Sequence, residues 1–194
     1  MRKDLVSSLV AVVALTAIFG LAYPLAITGA SQVLFPNKAD GSTVTRDGKI
    51  VGSRLLGQDF SKDPSLFQTR PSPTDDNPAG TAFSNLGPNS KDLRDAIARN
   101  AAAFLKRERP YNPGLARAAI PPDAVQTSAS GVDPHISVAN ARIQAGRVAA
   151  RNRLSKARVL ALVKANTDDR SLGILGEPGV NVLDLNLAIR EARR

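Results

Sequence analysis

The chain has no cysteine and no tryptophan among its 194 residues, and only one histidine. Without cysteine, no disulfide can brace the fold, and there is neither a thiolate metal ligand nor a cysteine nucleophile. One histidine and no cysteine exclude the usual zinc ligand sets. Aromatic residues make up only 4% of the chain, which leaves few rings on which nucleic acid bases could stack.

Acidic residues are also scarce, with 17 Asp and Glu against 26 Lys and Arg and a net charge of +9. Such an excess of positive charge is typical of a chain that meets an anionic partner. We expect no nucleic acid partner, because aromatic content is low and most of the chain is expected to lie outside the cytoplasm. Anionic lipid headgroups or an acidic protein surface fit better.

Sequence motifs of catalysis are missing as well. The chain contains neither a G-x-x-x-x-G-K-[ST] phosphate loop nor a G-x-G-x-x-G motif. His135 is predicted in a turn at the start of a helix as a structural hydrogen-bonding residue, and no G-x-S-x-G surrounds any serine. Asp75-Asp76-Asn77 is interpreted as a surface turn rather than a cation site. No catalytic residue and no metal ligand are therefore predicted, and the D-K-T-G-T sequence of ion pumps is absent.

The most distinctive stretch that is present runs from Leu5 to Ala30 and carries no charged residue. At about 1.5 Å per residue, a helix over Leu5 to Tyr23 would span about 28 Å, close to the hydrocarbon thickness of a bilayer. We predict a transmembrane helix over residues 5–30, a cytoplasmic N-terminus over residues 1–4 and a periplasmic or extracellular domain over residues 31–194. The alternative is a cleaved secretory signal, with a cleavage site near Thr28-Gly29-Ala30, although the apolar run is longer than such signals need.

Small residues and a proline recur every four positions within this helix, at Thr16, Gly20, Pro24 and Thr28. A stripe of this kind lets a second helix approach closely in lipid, although small residues are also common in membrane helices generally. Pro24 is expected to kink or end the helix near Tyr23, whose ring suits the headgroup region.

Beyond the helix, the sequence predicts a mixed α+β domain. Asp47-Gly48 between two β-branched runs predicts a hairpin, and the Pro/Gly-rich stretch 72–90 predicts an extended loop. Ser90 is a predicted N-cap of a helix that ends before Pro110. Residues 137–152 and 155–165 predict a helical hairpin. The run from Val180 to Ile189 favours a final buried strand, with a short helix as the alternative.

The helical hairpin carries basic residues without any acid between Ser137 and Lys164. We expect them on the faces opposite the apolar ones, either as a solvated surface or as a surface that meets an acidic partner or the membrane. The residues are Arg142, Arg147, Arg151, Arg153, Lys156, Arg158 and Lys164.

Short matches in a fixed order resemble the KdpC family, the small subunit of the bacterial potassium-transporting P-type ATPase complex KdpFABC. One departure is Ala82-Phe83, where the family is expected to be richer in glycine. The matching residues are Tyr23, Pro24, Gln32, Phe35, Pro36, Gly57, Gln58, Arg70, Pro71, Asn85, Leu86, Gly131, Asp133, His135, Arg147, Gly176, Pro178, Asn181 and Asn186.

The resemblance implies an accessory subunit with one transmembrane helix that is anchored in the inner membrane. It implies contacts with the channel-like subunit KdpA, the ATP-hydrolysing subunit KdpB and the small KdpF, with potassium as the transported ion. The family is also described as a catalytic chaperone that raises the ATP affinity of the pump, and nucleotide contact by KdpC itself has been proposed. An indirect effect is expected here, because nearly all of the chain is predicted to lie opposite the cytoplasm. The rival hypothesis is a stand-alone anchored or secreted binding protein for an anionic partner.

Overall fold

The computed structural model describes all 194 residues, which form two compact units, Met1–Thr43 and Val44–Arg194. The first unit is dominated by one uninterrupted helix, Arg2–Leu34, which we call the anchor helix. Its most apolar stretch of 18 residues has a mean hydropathy of 2.4, and none of that stretch is buried within the chain. The helix is therefore long enough and apolar enough to cross a membrane, in line with the predicted span.

The anchor helix has three parts: α1 (Arg2–Leu15), a π-helical segment (Thr16–Ala22) and α2 (Tyr23–Leu34). The expectation that Pro24 ends the helix is wrong, since α2 continues for ten residues beyond it. A proline ring clashes with the carbonyl one turn earlier in an α-helix. We attribute the π-helical segment to Pro24, because widened turns relieve this clash and leave the chain helical. A short helix, α3 (Pro36–Ala39), follows Phe35.

The second unit opens with the predicted hairpin of β1 (Thr43–Arg46) and β2 (Lys49–Ser53). Its two turn residues have positive φ angles, 50° at Asp47 and 74° at Gly48. This conformation is the one that Asp-Gly tolerates best, and it matches the twist of the paired strands. The hairpin prediction is confirmed.

A long segment without regular strands or helices follows, up to α4 (Lys91–Glu108). The Ser90 side chain accepts a hydrogen bond from the Leu93 amide, as the predicted N-cap requires. Three short 3₁₀ turns, Arg109–Tyr111, Arg117–Ala119 and Pro122–Ala124, carry the chain from α4 toward the sheet. Both the irregular loop and the helix agree with the sequence prediction.

The sheet has three short antiparallel strands in the order β3 (His135–Ser137), β5 (Gly179–Asn181) and β4 (Thr167–Asp168). Ile136 lies opposite Val180, and Thr167 lies opposite Val180 on the other side. His135 is thus a strand residue rather than a residue of a helix-start turn. Pairing of its backbone with Asn181 explains the difference, since no local signal in the sequence indicates this long-range partner.

Three helices pack around this sheet: α5 (Val138–Asn152), α6 (Lys156–Ala165) and α7 (Val182–Ala192). Ser137 and Ser155 cap α5 and α6, which confirms the helical hairpin. The favoured final strand is wrong beyond Asn181, and the helical alternative is right. The Asn181 side chain caps α7, and the buried Val182, Leu185 and Ile189 follow the helical period.

Two apolar clusters form the core of the second unit. The larger one joins the sheet, α5, α6 and α7 around Val148, Val159 and Leu185, and it includes Leu66 and Phe67 from the irregular segment. The smaller one lies between α4 and the 3₁₀ turns around Ala101 and Phe104. The apolar face of α4 therefore packs into this second cluster.

Candidate interaction surfaces

The matching residues of the first unit lie along or just after the anchor helix. Thr16 and Gly20 belong to the π-helical segment, whereas Tyr23, Pro24, Thr28 and Gln32 belong to α2. The Gln32 side chain donates a hydrogen bond to Asp40, 3.0 Å away, across the turn formed by Phe35 and Pro36. These contacts shape the end of the helix and leave its apolar surface exposed.

In the second unit, the matching residues Asn186 and Arg147, together with Gln144, hold the segment Pro64–Arg70, which we call the central segment. Phe67 is fully buried, yet no strand pairs with its backbone. The Asn186 side chain takes the place of a strand partner, because its carbonyl accepts from the Phe67 amide at 2.8 Å and its amide donates to the Phe67 carbonyl at 3.0 Å. Gln144 pairs with the backbone of Gln68 in the same way, at 2.8 and 3.1 Å. Two side-chain amides thus satisfy backbone groups that water cannot reach.

Arg147 completes this arrangement from α5. Its guanidinium donates to the carbonyl oxygens of Pro64 and Leu66 and to Gln144 Oε1. Its Nε lies 2.9 Å from Oε1 of Glu108, which is fully buried on α4. Burial lowers the pKa of Arg147, and the Glu108 carboxylate partly opposes that shift. The prediction that Arg147 belongs to an exposed basic face is wrong, because this side chain is 1% exposed.

A second set of matching residues ties loops to the start of β3. Arg70 donates to Asp133 at 3.0 Å and to the Thr127 carbonyl at 3.1 Å. Asp133 accepts from the His135 amide, and His135 Nε2 lies 3.1 Å from Asp168 on β4. Gly131 has φ of 74°, and its carbonyl accepts a hydrogen bond from Ser72, which follows Pro71. These residues form cross-links between distant parts of the fold.

Gly57, Gln58 and Asn181 attach the hairpin to the rest of the unit. The Gly57 amide donates to the Val132 carbonyl at 2.7 Å, and a Cβ there would lie 2.9 Å from the Asp133 carbonyl oxygen. The Gln58 side chain donates to the Val51 carbonyl, and the Asn181 side chain donates to the Arg54 carbonyl. At position 57, only a glycine permits the close approach of its backbone to that of Asp133.

The remaining matching residues are exposed or partly exposed. Asn85, in the Pro/Gly-rich loop, has φ of 50°, and its neighbour Leu86 is 37% exposed. Gly176 and Pro178 follow a solvent-exposed loop whose apolar side chains bury little.

A polar cleft of about 230 Å³ lies between the central segment and α4. Asp59, Asp75 and Asp76 line it, together with Arg70 and Arg107. Burial raises the pKa of Asp76, and the hydrogen bond from Thr69 works against that shift. The two arginines already pair with Asp133 and Glu108. The carboxylates therefore dominate the free charge of the cleft.

A second concavity, a groove of about 770 Å³, runs beside α5 and α6. Its apolar floor is formed by Val138, Leu160, Val163 and Pro178. Three cations and one acid line the groove, Arg142, Lys156, Lys164 and Asp169.

Neither concavity suits the triphosphate of a nucleotide. Phosphate loops bring glycine backbone amides against the ligand, and no glycine lines the cleft or the groove. The cleft would in addition place its three carboxylates, Asp59, Asp75 and Asp76, against the phosphates. Neither concavity therefore has the backbone-amide arrangement of a phosphate loop.

The two side-chain partners of Arg147, Glu108 and Gln144, were not predicted from the sequence. Their positions carried the signal: Glu108 follows Phe104 by four residues on the apolar face of α4, and Gln144 precedes Val148 by four on α5. A polar residue within an apolar stripe indicates a buried partner.

Comparison with known proteins agrees with the residue-level resemblance. Residues 5–191 match the family model described as KdpC, K⁺-transporting ATPase, c chain. A potassium-transporting ATPase KdpC subunit of Kineococcus radiotolerans is 49% identical, over 91% of this chain and 88% of that protein.

Two further relatives with the same name cover nearly the whole length. The protein of Bradyrhizobium diazoefficiens is 45% identical over 99% of this chain and 98% of its own length. That of Rhodopseudomonas palustris is 45% identical over 100% of both chains. The chain therefore belongs to the KdpC family of K⁺-transporting ATPase subunits.

Proposed function

We propose that this chain is a non-catalytic accessory subunit of an ATP-driven potassium uptake complex, in which it supports assembly with subunits of the KdpA, KdpB and KdpF kind. The observation that carries the proposal is that the most apolar part of the anchor helix buries none of its residues within the chain. An apolar helix of this length is satisfied only by lipid or by other helices. The names of the relatives add the potassium-transporting complex as the setting.

The proposed mechanism needs no chemistry from this chain. The side chains of its motif residues, such as Asn186, Gln144 and Arg147, are engaged in holding the central segment. Any effect on the ATP affinity of the pump would then be indirect, through a shift in the conformational populations of the assembled complex.

Deletion of the chain tests this function directly. Cells that lack it are expected to lose growth at micromolar potassium and to grow normally at millimolar potassium, since only high-affinity uptake depends on the complex. A plasmid copy of the wild-type chain serves as the control for the deletion. Unimpaired growth of the deletion strain at micromolar potassium would contradict the proposed function.

The small-residue stripe at Thr16, Gly20, Pro24 and Thr28 is the proposed helix-packing surface. Thr16→Leu with Gly20→Leu adds bulk where close approach requires small side chains, so less complex should assemble while the chain still inserts in the membrane. Ala14→Leu with Ala22→Leu adds comparable bulk on the other side of the helix and serves as the matched control. Equal yields of purified complex from both double variants would show that the stripe is not a helix-packing surface.

The rival hypothesis, a stand-alone binding protein for an anionic partner, draws on the cations of the groove. Purification of the wild-type chain in mild detergent separates the two ideas, because only the accessory subunit should bring other membrane proteins with it. Function that is unchanged after His135→Ala would count against the remaining possibility of hydrolysis at this residue.

A further inference from the structure

The groove beside α5 and α6 is continuous with an exposed loop, which follows α6 and β4 in the chain. Asp169 and Pro178 both line the groove, and the loop between them, residues 170–177, begins and ends at its edge. We call the two together the groove-and-loop surface.

The cations of the groove are available for a partner. Arg142, Lys156 and Lys164 are exposed and make no hydrogen bond or ion pair within the chain. By contrast, three basic side chains elsewhere in this unit, Arg46, Arg54 and Arg170, each pair with a carboxylate at 2.8 to 2.9 Å. Unpaired cations around an apolar floor combine two requirements of a docking site, charge complementarity and apolar area to bury.

The loop is closed by an ion pair and by backbone hydrogen bonds, and its apolar side chains face solvent. Arg170 donates to both carboxylate oxygens of Glu177 at 2.8 Å, and Ser171 pairs with Leu175 through two backbone hydrogen bonds of 2.9 Å. Leu172 has φ of 55°, which is rare for a residue with a branched side chain.

The apolar side chains of this loop are among the most exposed of the second unit. Leu172 is 89% exposed, Ile174 74% and Leu175 56%. A closed loop that presents large apolar side chains has already lost much of the conformational freedom that binding would otherwise remove. This preorganisation favours a docking role over an accidental exposure of apolar area.

We propose that the groove-and-loop surface docks an amphipathic segment of a partner protein, whose apolar side chains enter the groove and whose Asp or Glu side chains meet Arg142, Lys156 and Lys164. The proposal rests on the proposed function, because it assumes that the chain works within a protein complex. Its new content is the surface itself and the chemistry of the segment that binds there.

The shape of the groove favours a protein segment over a lipid surface. The groove is concave and about 770 Å³ in volume, which protruding side chains can fill and a flat bilayer cannot.

Cross-linking within the intact complex tests the proposal. The chain has no cysteine, so Ile174→Cys carries the sole thiol of this chain, and a thiol-linked photo-cross-linker can be placed on it. After illumination of the complex purified in native lipid, mass spectrometry should find the cross-link on a segment of a co-purifying subunit that contains both carboxylates and large apolar residues.

Charge reversal supplies the second arm. Lys156→Glu with Lys164→Glu should lower the cross-linking yield about tenfold, because like charges then face the carboxylates of the segment. Lys106→Glu with Arg117→Glu makes the same change in net charge at exposed positions outside the surface, and it should leave the yield unchanged.

The outcomes separate this inference from the proposed function. Cross-links only to lipid, only to a second copy of this chain, or to nothing while the partner subunits still co-purify would overturn the groove-and-loop proposal alone. Equal loss of yield in both charge-reversal pairs would also overturn it. Absence of co-purifying subunits from the wild-type chain would instead overturn the proposed function.

Discussion

At the scale of single residues, the second unit depends on an arginine and a glutamate that the solvent does not reach. Arg147 and Glu108 are 1% and 0% exposed, and Glu108 Oε2 has no hydrogen-bond partner. A buried ion pair adds little net stability over an apolar pair, but removal of one member leaves the other charge buried with fewer partners. The four acceptors of Arg147 lie on α4, on α5 and on the central segment, so its geometry fixes three parts of the unit at once.

Arg147→Met should lower the free energy of unfolding of this unit by about 3–5 kcal/mol, because two buried backbone carbonyls lose a donor and Glu108 keeps only Arg107 as a donor. Pulse proteolysis of the purified chain across a urea series measures the change. Arg147→Lys should rescue less than half of it, since one ammonium cannot serve all four acceptors. Arg142→Met, on the exposed face of the same helix, is the control, with an expected change within about 0.5 kcal/mol.

As pH rises, ionisation of Asp76 and ionisation of Asp63 should change the free energy of unfolding in opposite directions. Burial raises the pKa of Asp76, so its ionised form costs stability as pH rises above the ordinary carboxyl value of 3.8. Hydrogen bonds from Ser65 lower the pKa of Asp63, so its ionised form adds stability that is lost as pH falls. Asp76→Asn should therefore stabilise the chain at pH 7, and Asp63→Asn should destabilise it.

Both of these differences should shrink as pH falls. The effect at Asp76 should vanish below pH 3.8, where its carboxyl group is neutral in the folded and unfolded states. The effect at Asp63 should persist to lower pH, until pH passes below its lowered pKa in the folded state. Pulse proteolysis from pH 3 to pH 7 provides the measurement. A pH-independent effect of Asp76→Asn would show that burial of its charge is not the cause.

At the scale of elements, the central segment is a strand-like stretch whose neighbours are side chains. Four residues from two helices satisfy its backbone. Asn186 comes from α7, and Gln144, Arg147 and Asn152 come from α5, where the Asn152 side chain donates to the Ser65 carbonyl at 2.7 Å. The segment buries Leu66 and Phe67 completely, and the backbone groups of Phe67 and Gln68 remain paired.

Removal of one such partner should loosen the segment locally. Asn186→Ala leaves the Phe67 amide and carbonyl without partners, so we expect exchange of the Phe67 amide hydrogen to speed up by about tenfold or more. Hydrogen exchange followed by NMR measures it. Amides in the middle of α5 should change much less, and Asn166→Ala, which removes a hydrogen bond at the end of α6, is the matched control. Unchanged exchange at Phe67 would contradict this role of Asn186.

The elements that the sequence predicted correctly have local signals. Asp47-Gly48 defines the hairpin turn, and Ser90, Ser137 and Ser155 cap helices within three residues of themselves. The wrong secondary-structure predictions concern segments whose conformation depends on contacts with residues distant in the chain. The run from Val182 to Ile189 nearly alternates, and only packing against α6 and the sheet selects its helical period.

The candidate site was less predictable than the fold, for a similar reason. The basic run on α5 and α6 was found from composition, but which of its members remain free depends on Glu108, 39 residues away from Arg147 in the chain. The exposed apolar loop shows no periodic hydrophobic pattern in the sequence. Exposure of its side chains depends on whether other parts of the fold pack over them, which no local pattern indicates.

At the scale of the whole molecule, the charge distribution along the chain sets the expected orientation in a membrane. Arg2 and Lys3 precede the apolar stretch, and lysine and arginine near a helix end favour the cytoplasmic side. The second unit is long enough to be translocated in spite of its own positive charge.

Single-cysteine variants can test this orientation without a background from native thiols. A membrane-impermeant maleimide should label Ala129→Cys in intact cells with a permeabilised outer envelope, and it should label Lys3→Cys only after cell lysis. Both positions are exposed in the structure, so accessibility within the fold does not limit either reaction. The reverse pattern would place the second unit in the cytoplasm and reopen direct contact with nucleotide.

The π-helical segment Thr16–Ala22 sets the angular phase between the two halves of the anchor helix. Each residue of an α-helix turns the chain by about 100°, so loss of one residue from this segment would rotate every side chain of α2 by that angle relative to α1. Substitutions on the lipid-facing side would preserve the phase, whereas a one-residue deletion or insertion would turn half of any helix-packing surface toward lipid. The anchor helix should therefore tolerate changes in its composition far better than changes in its length.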